Sequence, residues 1–244
     1  MSSDRTNRKY RMPAFTRPIL IIVGGYGSGK SEVSVNLAAF LARSQSKPVA
    51  IADLDIVNPY FRSREATKQL EALGVRSINP TGEQFHSELP IILPEVKGSI
   101  QKHEGYLILD VGGDDVGARV LSSLNDAFTP GSYEMLLVLN ANRPFTSDLR
   151  SSLQMIAKIE ASSKLRFTGI ISNTHLLEQT DAEMIERGYR LSIEVAREAG
   201  VEVSFIAALA NVLKKINTEA FDTAVLPLER QLLKPWEQST RNST

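Results

Sequence analysis

Residues 19–31 read Ile-Leu-Ile-Ile-Val-Gly-Gly-Tyr-Gly-Ser-Gly-Lys-Ser, an apolar run that breaks into glycines and ends on Lys30 and Ser31. Gly24 and Gly29 stand at the spacing G-x-x-x-x-G-K-[ST] of a phosphate-binding loop. Glycine lets successive backbone N–H groups turn inward on a phosphate chain without a Cβ clash. Gly24, Gly25, Tyr26, Gly27, Ser28 and Gly29 then form the cradle, Lys30 reaches the β- and γ-phosphates, and the Ser31 hydroxyl is offered to Mg²⁺. The flanks agree with this reading. Residues 19–23 have the unbroken apolarity of a buried parallel strand, and Val33, Leu37, Phe40 and Leu41 recur at helical spacing. A helix beginning here adds its N-terminal dipole and free amides to the anion site. The competing interpretation is a glycine-rich turn that binds nothing.

Outward from the loop, strand and helix signals alternate. Residues 49–52 form a second short apolar strand that runs into Asp53-Leu54-Asp55. Ligands in doubly wound sheets lie outside the carboxyl ends of the strands, so Asp53 and Asp55 are expected to face the phosphates or their Mg²⁺. One carboxylate would orient or deprotonate an attacking water while the other holds metal-bound waters. The alternative is an Asx-type turn ahead of Pro59, with one carboxylate capping the next helix. That helix, residues 61–73, is expected to stop at Gly74. Tyr60, Phe61, Arg62 and Arg64 at its start suit a phosphate, a carboxylated substrate or a partner, or else simple aromatic packing beside a solvated basic turn. A short strand over 75–78 precedes an irregular stretch, residues 79–105, with room for one helix and for a substrate or partner surface.

Residues 106–110 are a third buried strand ending in Asp110, a Walker B strand whose carboxylate holds Mg²⁺ through water. Asp110-x-x-Gly113 is the pattern in which a glycine N–H senses the γ-phosphate. Asp114 or Asp115 is expected to cap a helix continuing to Leu124. Strands over 134–139, 167–171 and 201–206 then alternate with helices over 146–160 and 181–199. Leu228, Leu232, Leu233 and Trp236 share one face of an expected helical segment over 226–236, docked on the domain. The expected architecture is a single three-layer α/β/α domain with a mainly parallel, doubly wound sheet, covering 19–244 behind a mobile or draped basic arm over 1–18.

Composition narrows the chemistry. The 244 residues carry zero formal net charge, 23% charged and 42% hydrophobic residues, which argues against a generally nucleic-acid-coating surface. No apolar run of about eighteen residues and no apolar leader segment is present, so no membrane span is expected and cytoplasm is the default location. Cysteine is absent, and His86, His103 and His175 are far apart in sequence. Disulfides, thiolate clusters and Cys-type zinc sites are thereby excluded, leaving Mg²⁺ as the expected metal.

The order of glycine loop, D-x-D strand end and D-x-x-G resembles the SIMIBI branch of P-loop NTPases that includes MinD, ParA, CobQ, CobB and dethiobiotin synthetase. The likeness covers roughly residues 19–210. It implies that Asp55 or Asp53 is the catalytic or metal-ordering acid, and that Asp110 to Gly113 form the Walker B switch. One departure bears on assembly. Aligned on Gly29-Lys30-Ser31, Gly25 stands where dimerising members carry a signature lysine, and Tyr26 stands at their next glycine. The resemblance therefore implies no nucleotide-driven sandwich dimer, unless Arg62 or Arg143 substitutes for that charge; a homodimer through another face stays open. The expected activity is Mg-ATP binding with hydrolysis, coupled to a protein partner. An ATP-dependent enzyme acting on a small carboxylate or hydroxyl substrate, and a binding module with negligible turnover, are the alternatives. Adenine is expected over guanine, because Asn173-Thr174-His175-Leu176 lacks the lysine and aspartate of N-K-x-D. Asn173 is the candidate contact to the base, or else merely holds its turn.

Overall fold

The computed structural model describes residues 10–44, 47–55, 64–78, 89–102 and 104–230. Strands and helices alternate: β1 (Ile19–Gly24), α1 (Lys30–Ser44), β2 (Val49–Asp53), α2 (Arg64–Ala72), β3 (Val75–Ile78), α3 (Leu89–Gln101), β4 (Tyr106–Gly112), α4 (Asp115–Ser123), β5 (Tyr133–Leu139), α5 (Leu149–Ser163), β6 (Gly169–Ser172), α6 (Ala182–Ala199), β7 (Glu202–Leu209), α7 (Ala210–Leu213) and β8 (Ala224–Leu228). The strands form one sheet in the order β3-β2-β4-β1-β5-β6-β7-β8. Every pairing is parallel.

Period-two alternation along β1 explains the three layers. Ile19, Ile21 and Val23 enter a core with Val96 of α3, Val120 of α4, Ile156 of α5 and Val195 of α6. Leu20 and Ile22 enter the opposite core with Val33, Leu37 and Leu41 of α1 and Leu70 of α2. Because β1 is buried on both faces, its sequence is continuously apolar rather than alternating. The strand order reverses around β1, and the phosphate-loop sequence leaves the sheet at that strand's carboxyl end.

Several boundaries differ from expectation, each for a local reason. Helix α5 starts at Leu149 rather than 146, because Asp148 accepts from the Ser151 N–H at 2.8 Å in a capping box, while Pro144–Thr146 makes a separate 3₁₀ turn. A helix does occupy part of the 79–105 stretch, at α3, with Pro94 inside it. The expected helical segment over 226–236 is corrected at its start: residues up to Leu228 form edge strand β8, in register with β7 from Phe205↔Ala224 to Leu209↔Leu228. Pro227 is tolerated there because an edge strand has one side without ladder partners. Leu232, Leu233 and Trp236 lie outside the described residues, as do Tyr60, Phe61 and Arg62.

The second half of the basic arm is docked. The Arg11 carbonyl accepts from Val225 N at 2.8 Å, and the Thr16 and Arg17 amides donate to Glu134 Oε1 at 2.8 and 3.1 Å. Phe15 packs edge-on to Phe205, with ring centroids 6.1 Å apart. Among the described residues no helix is long and apolar enough to cross a membrane.

Candidate nucleotide site

The loop between β1 and α1 is held open from outside. Gly27 and Gly29 have φ of +72° and +85°, conformations strained for any side-chain-bearing residue. Arg143 Nε donates to the Gly27 carbonyl at 2.9 Å, and Asn173 Nδ2 donates to the Ser28 carbonyl at 2.8 Å. Drawing the Ser28 carbonyl outward turns the next N–H, that of Gly29, to the opposite side of the same planar peptide. Asn140 at the end of β5 links the braces: its Nδ2 donates to the His175 carbonyl at 3.3 Å and its Oδ1 accepts from Asn142 N at 3.0 Å. Tyr26 is 68% exposed, so its share in the cradle rests on its backbone.

Beneath the loop lies the acidic group. Asp53 and Asp110 are direct register partners on β2 and β4, and both are buried. Strand β2 ends at Asp53, after which Leu54 N donates to the Asp110 carbonyl at 2.8 Å and Asp55 N to Asp53 Oδ1 at 3.0 Å. This turn brings the Asp55 carboxylate onto Lys30 Nζ in an ion pair whose side chains are 3% and 8% exposed. Burial opposes the charge of Lys30, yet Asp110, Asp55 and Asp53 together outweigh it and raise its pKa. Burial likewise raises the pKa of Asp110, against the pull of Lys30 and of hydrogen bonds from Ser31 and Ser34. Ser34, one helical turn after Lys30, donates to Asp110 Oδ1 at 3.3 Å; its i+4 spacing from Lys30 was the available sequence signal.

Three buried carboxylates face one ammonium, and Asp110 Oδ2 has no hydrogen-bond partner among the described residues. An oxygen-lined pocket with surplus negative charge suits a hard divalent cation. Among the described residues no group of three or more His, Cys, Asp or Glu is arranged to hold a metal unaided. A cation at Asp110 and Ser31 would complete its shell with phosphate oxygens and water, as Mg²⁺ commonly does.

Gly113 N donates to the Gly24 carbonyl at 2.9 Å, so Gly113 is tied here to the phosphate loop. A Cβ on Gly113 would lie 2.3 Å from Met155 Cε and 2.7 Å from Gly25 N, a closeness only glycine permits. Asp114, not Asp115, caps α4, accepting from Gly117 N at 2.8 Å.

The comparisons agree with this geometry. The sequence profile described as CobQ/CobB/MinD/ParA nucleotide binding domain (CbiA) matches residues 19–215, and the chain belongs to that family. Similar solved structures include the cell division protein FtsY of Thermotoga maritima, with 21% identity, TM-score 0.52, and coverage of 84% of this chain and 66% of that one. Chloroplast FtsY of Physcomitrella patens gives 20% identity, TM-score 0.50, and coverage of 84% and 63%. The signal recognition particle receptor FtsY of Elizabethkingia anophelis gives 17% identity, TM-score 0.50, and coverage of 80% and 59%. This chain spans slightly under two-thirds or less of their lengths, and the likeness is one of fold. Among curated proteins none matches. The chain is thus a nucleotide-binding P-loop domain of the SIMIBI class.

His175 supports a pH prediction. Burial, then the Arg143 charge, lower its pKa to about 4 from 6.5, against a hydrogen bond to the Ser28 backbone. A histidine depressed in the folded state leaves the unfolded chain to bind the proton first, so stability falls as pH drops from 6.5 towards 4. The expected loss between pH 7 and pH 5 is on the order of 2 kcal/mol. Urea unfolding at both pH values should show a flatter dependence in His175→Gln; an unchanged slope would refute the assignment.

Proposed function

We propose that the protein binds Mg-ATP, hydrolyses it, and uses the nucleotide state to engage a partner protein. The observation that carries this reading is Lys30 held among Asp53, Asp55 and Asp110 directly beneath the phosphate loop. Asp110, Ser31 and Asp53 would hold Mg²⁺, which would supply charge neutralisation for the terminal phosphates. Lys30 exchanges Asp55 for a phosphate oxygen when nucleotide enters. Asp55, released from its ion pair, then accepts a hydrogen bond and a proton from the attacking water. Asp53 keeps the turn in place through the Asp55 amide. Gly113 can give its N–H to a γ-phosphate only by leaving the Gly24 carbonyl, which ties α4 to the nucleotide state. A steady-state phosphate-release assay with and without Mg²⁺ tests the reading, and Mg²⁺-independent or absent turnover counts against it.

Adenine is the base this site suits. Thr174 is buried and its hydroxyl accepts from Ala141 N at 3.0 Å, while Leu176 offers a guanine no side-chain acceptor. Asn173 has committed its amide nitrogen to Ser28, leaving Oδ1 for the adenine amino group. Unpaired guanine donors cost roughly 1–3 kcal/mol each, so ATP is expected to bind at least about fivefold tighter than GTP. Competition of unlabelled GTP against labelled ATP measures this, and equal or better displacement by GTP would contradict it.

A second reading, ATP-dependent activation of a small molecule, is favoured by one observation: a cleft of about 740 Å³ between α4 and α5 adjoins the phosphate loop at Gly24, Gly25 and Gly113.

A further inference from the structure

The turn that follows β5 is fixed by its own hydrogen bonds. Arg143 N donates to the Asn140 carbonyl at 3.0 Å, Thr146 N to the Arg143 carbonyl at 3.0 Å, and the Thr146 hydroxyl to the Asn140 carbonyl at 2.9 Å. Asn140 and Thr146 are buried, and Pro144 holds the residue before it extended, at φ −121° and ψ 138°. With its backbone fixed in this way, Arg143 sends its side chain across the phosphate loop. The guanidinium lies against Gly27: a Cβ on that glycine would be 2.8 Å from Arg143 Nε and 3.0 Å from Cζ. Only a residue without a side chain leaves this space to the arginine.

Nε alone is spent on the loop, in its bond to the Gly27 carbonyl. The N–H groups of both terminal nitrogens remain, and no carboxylate among the described residues pairs with Arg143. Lys30 faces three acids, whereas the charged neighbour of Arg143 is His175, which the arginine holds towards its neutral form. A half-buried guanidinium without a counter-charge is a ready fork of donors for phosphate oxygens. Its place along the loop says which phosphate. Gly24, joined to Gly113, marks the end where the terminal phosphate is expected, and Asn173, bound to the Ser28 carbonyl, marks the side of the base. In a nucleotide laid along the loop, Gly27 falls between these ends, beside the sugar and the α-phosphate.

We propose that Arg143 binds the α-phosphate of the nucleotide held by its own chain, through its terminal nitrogens, while Nε keeps the Gly27 carbonyl. The inference rests on the nucleotide reading and adds to it a second cation, 116 residues from the glycine it braces. This charge is supplied in cis, so it needs no second copy of the chain. ATP and ADP share the α-phosphate, so Arg143 sets how tightly either is held and leaves their discrimination to Lys30 and Gly113.

Arg143→Gln separates contact from brace. The glutamine amide nitrogen stands as many bonds from Cα as the arginine Nε, so it still donates to Gly27, but the charged fork is gone. Arg143→Met removes both and sets the scale for losing the brace. The measurement is calorimetric titration of each full-length protein with Mg-ATP and with Mg-ADP, beside thermal unfolding without ligand. Arg143→Gln should unfold with the wild type yet bind both nucleotides about tenfold more weakly, the scale of one partly exposed charge-assisted contact. Arg143→Met should bind at least as weakly and unfold at a lower temperature. Wild-type affinity in Arg143→Gln would make the arginine a brace alone, and a loss confined to Mg-ATP would put it at the terminal phosphate; either overturns the proposal. So does a loss of stability in Arg143→Gln equal to that in Arg143→Met, because the weaker binding would then come from the loop. If the wild type binds and Arg143→Gln matches it, this inference falls while the nucleotide reading stands; a wild type that takes up neither nucleotide sinks both.

Discussion

Replacing Lys30 with alanine should weaken Mg-ATP binding by at least about a hundredfold, the scale of one buried charge-assisted contact to phosphate. In this fold the lysine is the cation that faces Asp53, Asp55 and Asp110, and it is buried with them. Its loss removes the phosphate contact and also leaves surplus carboxylate charge under the loop. Breaking a buried pair commonly costs about 3–5 kcal/mol, so the variant should be less stable before any ligand is added. Calorimetric titration must therefore be accompanied by circular dichroism and an unfolding curve. Lys30→Arg, which keeps the charge, should restore stability more than it restores binding, because a wide planar guanidinium does not reproduce the point contact of a compact ammonium with phosphate. Wild-type affinity in a folded Lys30→Ala protein would end the phosphate-loop assignment.

Asp55→Asn should separate binding from turnover. The ion pair with Lys30 must open before that lysine can meet a phosphate, so an uncharged asparagine is expected to leave affinity intact or improve it. An asparagine cannot take a proton from water. Single-turnover hydrolysis is therefore expected to slow by at least about a hundredfold, the lower end for a positioned acid or base. Asp110→Asn should behave differently, raising the Mg²⁺ concentration needed for binding, since its Oδ2 is a buried carboxylate oxygen without a hydrogen-bond partner among the described residues. If Asp55→Asn hydrolyses at the wild-type rate, Asp55 serves only to store Lys30, and Asp53 becomes the catalytic candidate.

Much of this site was legible in the chain. The spacing from Gly24 to Ser31 is local, and so is the placement of Asp53 and Asp110 at the ends of apolar runs. Element boundaries were less legible where a cap competed with periodicity, as at Asp148, whose side chain starts α5 later than the apolar pattern suggests. Residues 226–228 misled for a related reason: a short apolar run with Pro227 has no period of its own, and only pairing with β7 makes it a strand. The sequence left the basic arm mobile or draped, and only the tertiary structure packs Met12 and Phe15 against the core.

The sequence alone determined the phosphate loop, the acidic strand ends and the α/β class, because covalent spacing and hydrophobic period act over a few residues at a time. Which strands become neighbours is set by how whole layers pack, and no local pattern encodes it. Tertiary structure therefore decided that β2 lies beside β4, which puts Asp53 in register with Asp110. It also brought Arg143, Asn173 and His175 from more than a hundred residues away to hold the loop. The same packing opened the cleft between α4 and α5, which exists only because two helices on one face of the sheet meet the loop at its end.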